Sequence, residues 1–174
     1  DNFFMGAFGG SFLNHQYLIA AQPPFYPDAD KSPSARKIAR LEGTDPKGTR
    51  LKPDPKTPAS AIDGPPIFGP STLSPDFWAV NTMLPPYAPT YELDPEKPGY
   101  ANAESASTLV PQHHKTIGDM LSAKGVNWAW YAGGWNAALE GRMNDTSTPS
   151  RPNFQPHHQP FNYYDRFCLL YTSD

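Results

Sequence analysis

Thr116-Ile117-Gly118-Asp119-Met120-Leu121-Ser122-Ala123-Lys124-Gly125-Val126-Asn127-Trp128-Ala129-Trp130-Tyr131 is the stretch whose reading decides the fold. Thr116 and Asp119 have the spacing of a capping box, Met120, Leu121 and Ala123 favour a helix, and Gly125 supplies its stop. The run from Val126 to Tyr131 is β-prone, is closed by Gly133-Gly134, and is short enough for a strand buried on both faces, as in a parallel sheet. Helix, one-glycine turn and apolar strand make an αβ unit, which predicts a layered α/β fold. Trp128, Trp130, Tyr131 and Trp135 are then expected to alternate in burial and pack in the core; a carbohydrate platform is the competing use.

Toward the N-terminus, Phe8-Gly9-Gly10-Ser11-Phe12-Leu13-Asn14-His15 delivers one serine to the start of a second helix. Two glycines permit a tight turn and close approach of another group. Ser11 is expected as the N-cap, with Leu13, Tyr17 and Ala20 or Ala21 at helical spacing and the helix ending at Gln22, before Pro23-Pro24. The positive helix end beside the Ser11 hydroxyl suits a phosphate or other anion. His15, one turn on, shares the serine's face. On local pattern alone a serine after glycine is a cap, worth about 1 kcal/mol. Phe3, Phe4, Met5 and Phe8 would each lose about 1.5–3 kcal/mol if exposed, so residues 1–10 read as a buried turn.

The 174 residues suit one domain, and 22 prolines with 13% aromatic and 18% charged residues describe a loop-rich chain with aromatic packing. Residues 23–98 hold 17 of those prolines, which makes them an insert or covering loops. Phe77 to Thr82 is an expected short strand within it, and Ser34 to Leu41 a weak helix. A net charge of −3 and no basic run exclude nucleic acid as a natural partner. No stretch of about 18 apolar residues is present to span a membrane. One cysteine, Cys168, precludes an intrachain disulfide framework, and there is no CxxC pair. Neither a GxGxxG nor a phosphate-loop lysine pattern occurs, nor a GxSxG elbow.

Five histidines include two adjacent pairs, His113-His114 and His157-His158. Adjacent rings on an extended segment face opposite ways, so neither pair chelates one metal naturally. His157-His158 has the stronger claim, because Pro156 and Pro160 flank it and restrict the backbone. His113-His114 reads as solvated.

Three segments in this order, Phe8 to His15, Thr116 to Tyr131, and Phe154-Gln155-Pro156-His157-His158-Gln159-Pro160-Phe161, resemble the bacterial phosphoesterases that include acid phosphatases and phosphatidylcholine-type phospholipases C, a branch of the alkaline phosphatase superfamily. The chain looks closer to the acid phosphatases, because the phospholipase branch has threonine and Asn-Arg where Ser11 and Asn14-His15 stand. The resemblance implies an alkaline-phosphatase-like α/β layered sheet with helices, here incomplete, over residues 1–167. It implies Ser11 as a nucleophile that also touches a divalent metal ion and is transiently phosphorylated. It further implies His157 and His158 at the phosphoryl group and leaving oxygen, supporting places for Asn14 and His15, and a small phosphate ester as substrate.

The family's Glu-Asn pair upstream and Asp pair downstream have no counterpart in this sequence, so the resemblance implies an internal fragment that is inactive alone. Relatives are mostly exported, which implies a periplasmic or secreted parent. Residues 168–174 look like translated read-through and are expected to be a non-native tail. The alternatives are a phospholipase C phosphodiesterase and, from another class, a non-catalytic aromatic-rich glycan-binding module.

Overall fold

The computed structural model describes residues 6–7, 10–27, 55–56, 58–59, 62–64, 73, 77–79, 83–105, 107–140 and 154–168. Helix α1 (Ser11–Ala20) forms where one face can bury Phe12, Leu13, Gln16 and Ile19. It stops two residues short of Gln22. Ala21 adopts a left-handed conformation, φ 54°, and its N–H donates to the Tyr17 carbonyl at 2.9 Å, turning the chain toward Pro23-Pro24.

Helix α2 (Ile117–Ala123) keeps its expected bounds. The Thr116 N–H donates to Asp119 Oδ2 at 2.6 Å and the Asp119 N–H to Thr116 Oγ1 at 3.4 Å, which completes the capping box. At the other end Gly125 takes φ 68°, where a side chain would be strained, and its N–H donates to Ser122. Gly118 answers to packing instead: a Cβ there would overlap the six-membered ring of Trp128, so the indole lies directly on the helix backbone. Helix α3 (Trp135–Leu139), 3₁₀ turns at Pro156–His158 and Pro160–Tyr163, and helix α4 (Asp165–Cys168) complete the described elements.

The expected strands do not form among the described residues. Val126 to Tyr131 is not in a strand, and residues 127–132 make no backbone hydrogen bond there; Trp128 is half-buried while Val126, Ala129, Trp130 and Tyr131 are exposed. An extended run without a paired neighbour has nothing to bury its faces, so the expected alternation is absent. Around Phe77 to Thr82 only single bridges occur, Phe25 with Trp78 and Leu73 with Ala79, and Phe77 itself has φ 70°. Residues 80–82 and the Ser34 to Leu41 helix lie outside the described residues, as do residues 1–5 and 8–9 of the expected N-terminal turn. Instead of a layered sheet, six isolated bridges are scattered over the described residues.

The main core joins Phe12, Leu13 and Ile19 of α1 to Leu73, Ala79, Met83, Leu109, Tyr163 and Tyr164. Side chains hold the proline-rich stretches to it where sheet ladders would elsewhere. Gln112, 2% exposed, accepts the Phe25 N–H at 2.7 Å and donates to the Phe25 carbonyl at 2.8 Å, so one carboxamide does what a strand partner does. Its own backbone N–H donates to the Tyr163 carbonyl at 2.7 Å. The Tyr163 hydroxyl donates to the Met83 carbonyl, and Asn162 donates to the Tyr87 carbonyl at 3.1 Å. Buried polar groups satisfied this way stabilise by about 1 kcal/mol each and would be costly to orphan. Three are orphaned among the described residues: both polar atoms of fully buried Gln16 and the hydroxyls of Thr90 and Thr108 lack a partner there.

Candidate active site

Gly10, not Ser11, is the N-cap of α1. Among the described residues no side chain caps the helix, and its first turn carries no acidic residue, which leaves the positive helix end without a carboxylate of its own. Ser11 is the first helical residue, and its exposed side chain is free for another use. Asn14 steadies the approach to the helix: its Nδ2 donates to the Gly10 and Ala7 carbonyls, both at 3.2 Å, and its Oδ1 accepts the Ala7 N–H at 3.3 Å.

Ser11 Oγ meets His158 Nε2 at 2.8 Å across 147 residues of sequence. The pairing is set by the 3₁₀ turn Pro156–His158, whose N–H of His158 donates to Gln155 and which packs against α1. A 3₁₀ turn rather than an extended segment carries the histidine pair, so the His157 and His158 rings stay close, 4.2 Å apart and inclined at 70°. His15 lies on the other face of His158, its ring nearly parallel at 4.8 Å. His15 Nδ1 is 2.6 Å from the Ser11 carbonyl, which can only accept, so Nδ1 carries the proton.

Burial lowers the His158 pKa from the ordinary histidine value, and the charge of His15 lowers it further. Burial likewise lowers His157, with His158 and His15 adding to the effect. A neutral His158 has an acceptor to offer the serine O–H. Ser11, His15 and His158 therefore converge, and the His157 ring adjoins that of His158.

The other histidine pair belongs to a different assembly. His113 Nδ1 lies 2.9 Å from Asp165 Oδ2 with its side chain 73% exposed, as expected of a solvated residue. His114 is not solvated in that sense: its Nε2 lies 2.6 Å from the Tyr164 hydroxyl, and burial followed by the Arg166 charge lowers its pKa. Arg166 ties this region together, with Nε donating to Asp119 Oδ1 at 2.6 Å, a second nitrogen pairing with Oδ2, and a further bond to the His114 carbonyl at 2.9 Å. Sequence reasoning missed Arg166 because no local pattern links it to a capping aspartate 47 residues away.

Among the described residues no group of three or more His, Cys, Asp or Glu side chains is placed to hold a metal ion. The three imidazoles near Ser11 stack and tilt against one another, and among the described residues no carboxylate bonds to the hydroxyl. The described residues therefore do not by themselves supply the several oxygen ligands that the divalent ion implied by the resemblance would require.

The Ser11 hydroxyl and the His158 imidazole thus lie within hydrogen-bond reach at the N-terminus of α1, a helix end of the kind that suits an anion. The sequence profile of the phosphoesterase family matches residues 1–169, and the chain belongs to that family. Membership makes phosphate-ester hydrolysis its general chemistry. No curated protein and no solved structure matches the chain. No described helix is long and apolar enough to cross a membrane.

Proposed function

We propose, against the inactivity expected of an internal fragment, that the chain hydrolyses small phosphate esters in the manner of an acid phosphatase, with Ser11 as nucleophile and His158 as its proton acceptor. The observation that carries this is the 2.8 Å contact between Ser11 Oγ and His158 Nε2 at the uncapped start of α1. Ser11 Oγ attacks phosphorus as its proton passes to Nε2. The bond from phosphorus to the leaving oxygen breaks, and that oxygen takes a proton from the adjacent imidazolium. Water then attacks the phosphoserine, releases phosphate and returns a proton to Oγ. The N–H groups of the first turn face the equatorial oxygens, where positioning and charge stabilisation matter most. His15 holds the His158 ring by stacking. The metal ion expected from the resemblance would draw its ligands from beyond the described residues, and no step above passes through it.

The test is acid quenching of the chain with p-nitrophenyl phosphate, followed by peptide mass spectrometry. Phosphate on Ser11 is expected, absent in Ser11→Ala and lowered on the order of 100-fold in His158→Ala, the range of a lost general base. Phosphate on another residue, or full labelling in His158→Ala, would overturn the assignment.

A further inference from the structure

Beyond the reacting pair, the chain contains a cavity of about 770 Å³ whose walls include Trp128, Trp130, Tyr131, Trp135 and Phe161. Such a volume matches a small organic ligand. We propose that this cavity receives a planar aromatic leaving group, so that aryl phosphate esters are the preferred substrates; the proposal rests on the reading of Ser11 as phosphoryl acceptor.

The first argument is the direction in which the indoles are fixed. Trp128 donates through Nε1 to Ser122 Oγ at 2.9 Å, and Trp130 through Nε1 to Gln159 Oε1 at 3.1 Å. Their only polar atoms are engaged within the wall, so they offer ring surface to whatever enters. Phe161 braces both, at 5.0 Å from Trp128 and 5.5 Å from Trp130 between ring centroids.

Charge supplies the second argument. None of the lining residues is Asp, Glu, Lys, Arg or His, so the phosphate itself has no partner there and belongs at the helix end outside. A neutral, flat group is what such a wall favours.

The third is position. Gln159 follows His158 directly and lines the cavity, while its Nε2 has no partner among the described residues. Through its bond to the Trp130 indole, Gln159 thus joins the turn that carries the base to the aromatic wall.

Saturation-transfer NMR on the full chain tests this with phenol, cyclohexanol, choline and maltose at equal concentration. Phenol is expected to bind and to shift the Trp128 and Trp130 indole N–H resonances, with cyclohexanol at least fivefold weaker. Trp130→Ala should weaken phenol at least tenfold, and Tyr131→Ala, whose ring is 92% exposed and dispensable for folding, two- to threefold. Ser11→Ala should bind phenol as the wild type does. Cyclohexanol binding as well as phenol, preference for choline or maltose, or indifference to both substitutions would overturn the proposal. Phenol binding without phospho-Ser11 would remove the serine reading and leave the cavity as an aryl site; phospho-Ser11 without phenol binding would remove the cavity proposal alone.

Discussion

Two helices in this chain begin in opposite ways. At α2 the donors are answered from within: Thr116 and Asp119 cap each other, and Arg166 closes over the carboxylate from the far end of the chain. At α1 Gly10 offers no side chain, the first turn has no acid, and the first hydroxyl turns outward to His158. The same backbone geometry thus serves anchoring in one place and leaves a hydroxyl for a distant imidazole in the other. What differs is whether a carboxylate already occupies the position an anion would take.

The contrast can be broken most severely at the closed end. Arg166→Ala leaves Asp119 without its forked partner and is expected to cost about 2–3 kcal/mol in urea unfolding, as for hydrogen bonds to charged groups. The pair also fixes an acid limit. Burial alone would raise the Asp119 pKa, but the bonds from Arg166 and Thr116 and the guanidinium charge bring it down to about 2, against 3.8 ordinarily. A lowered carboxylate pKa stabilises the fold above the unfolded value, and that stability is lost as pH falls from about 4 through about 2. Unfolding measured across that interval should show the loss in the wild type and little of it in Arg166→Ala.

A smaller effect is expected at Gly118, where the closed helix meets Trp128. Gly118→Ala should destabilise by roughly 2 kcal/mol through overpacking, because the indole is pinned by Ser122 and Phe161 and cannot retreat. Tryptophan fluorescence should report the displacement, and an unchanged spectrum and midpoint would refute the close packing.

The smallest change would make the open end resemble the closed one. Gly10→Asp is expected to stabilise by about 0.5–1 kcal/mol through a cap and the helix dipole. It should also weaken inorganic phosphate binding severalfold in a calorimetric titration. Equal phosphate affinity would place the anion elsewhere.

Both helices were legible in the sequence to within two residues, because capping spacing, proline and glycine act locally. The strand at Val126 to Tyr131 was not: propensity marks a segment able to pair, while pairing depends on a neighbour it cannot name. Ser11 was legible as a helix start but misplaced by one position, since Gly10 satisfies the cap geometry without a side chain. Its contact with His158 follows from packing of α1 on a 3₁₀ turn, which no periodicity encodes. Resemblance across three distant segments brought those residues into one reading. Gln112 escaped notice altogether, for a glutamine between a proline and two histidines carries no pattern.

That glutamine bears on how the chain tolerates change. Gln112 fastens Phe25 at a single point, and Tyr163 and Asn162 fasten Met83 and Tyr87 in the same manner. A ladder would make every residue along it depend on register; side-chain rivets and isolated bridges bind fewer positions. Each doubling of the span between two of them adds only about 0.6 kcal/mol of closure entropy. A change of length between two such points should therefore cost little, whereas loss of the Gln112 carboxamide would orphan both the N–H and the carbonyl of Phe25.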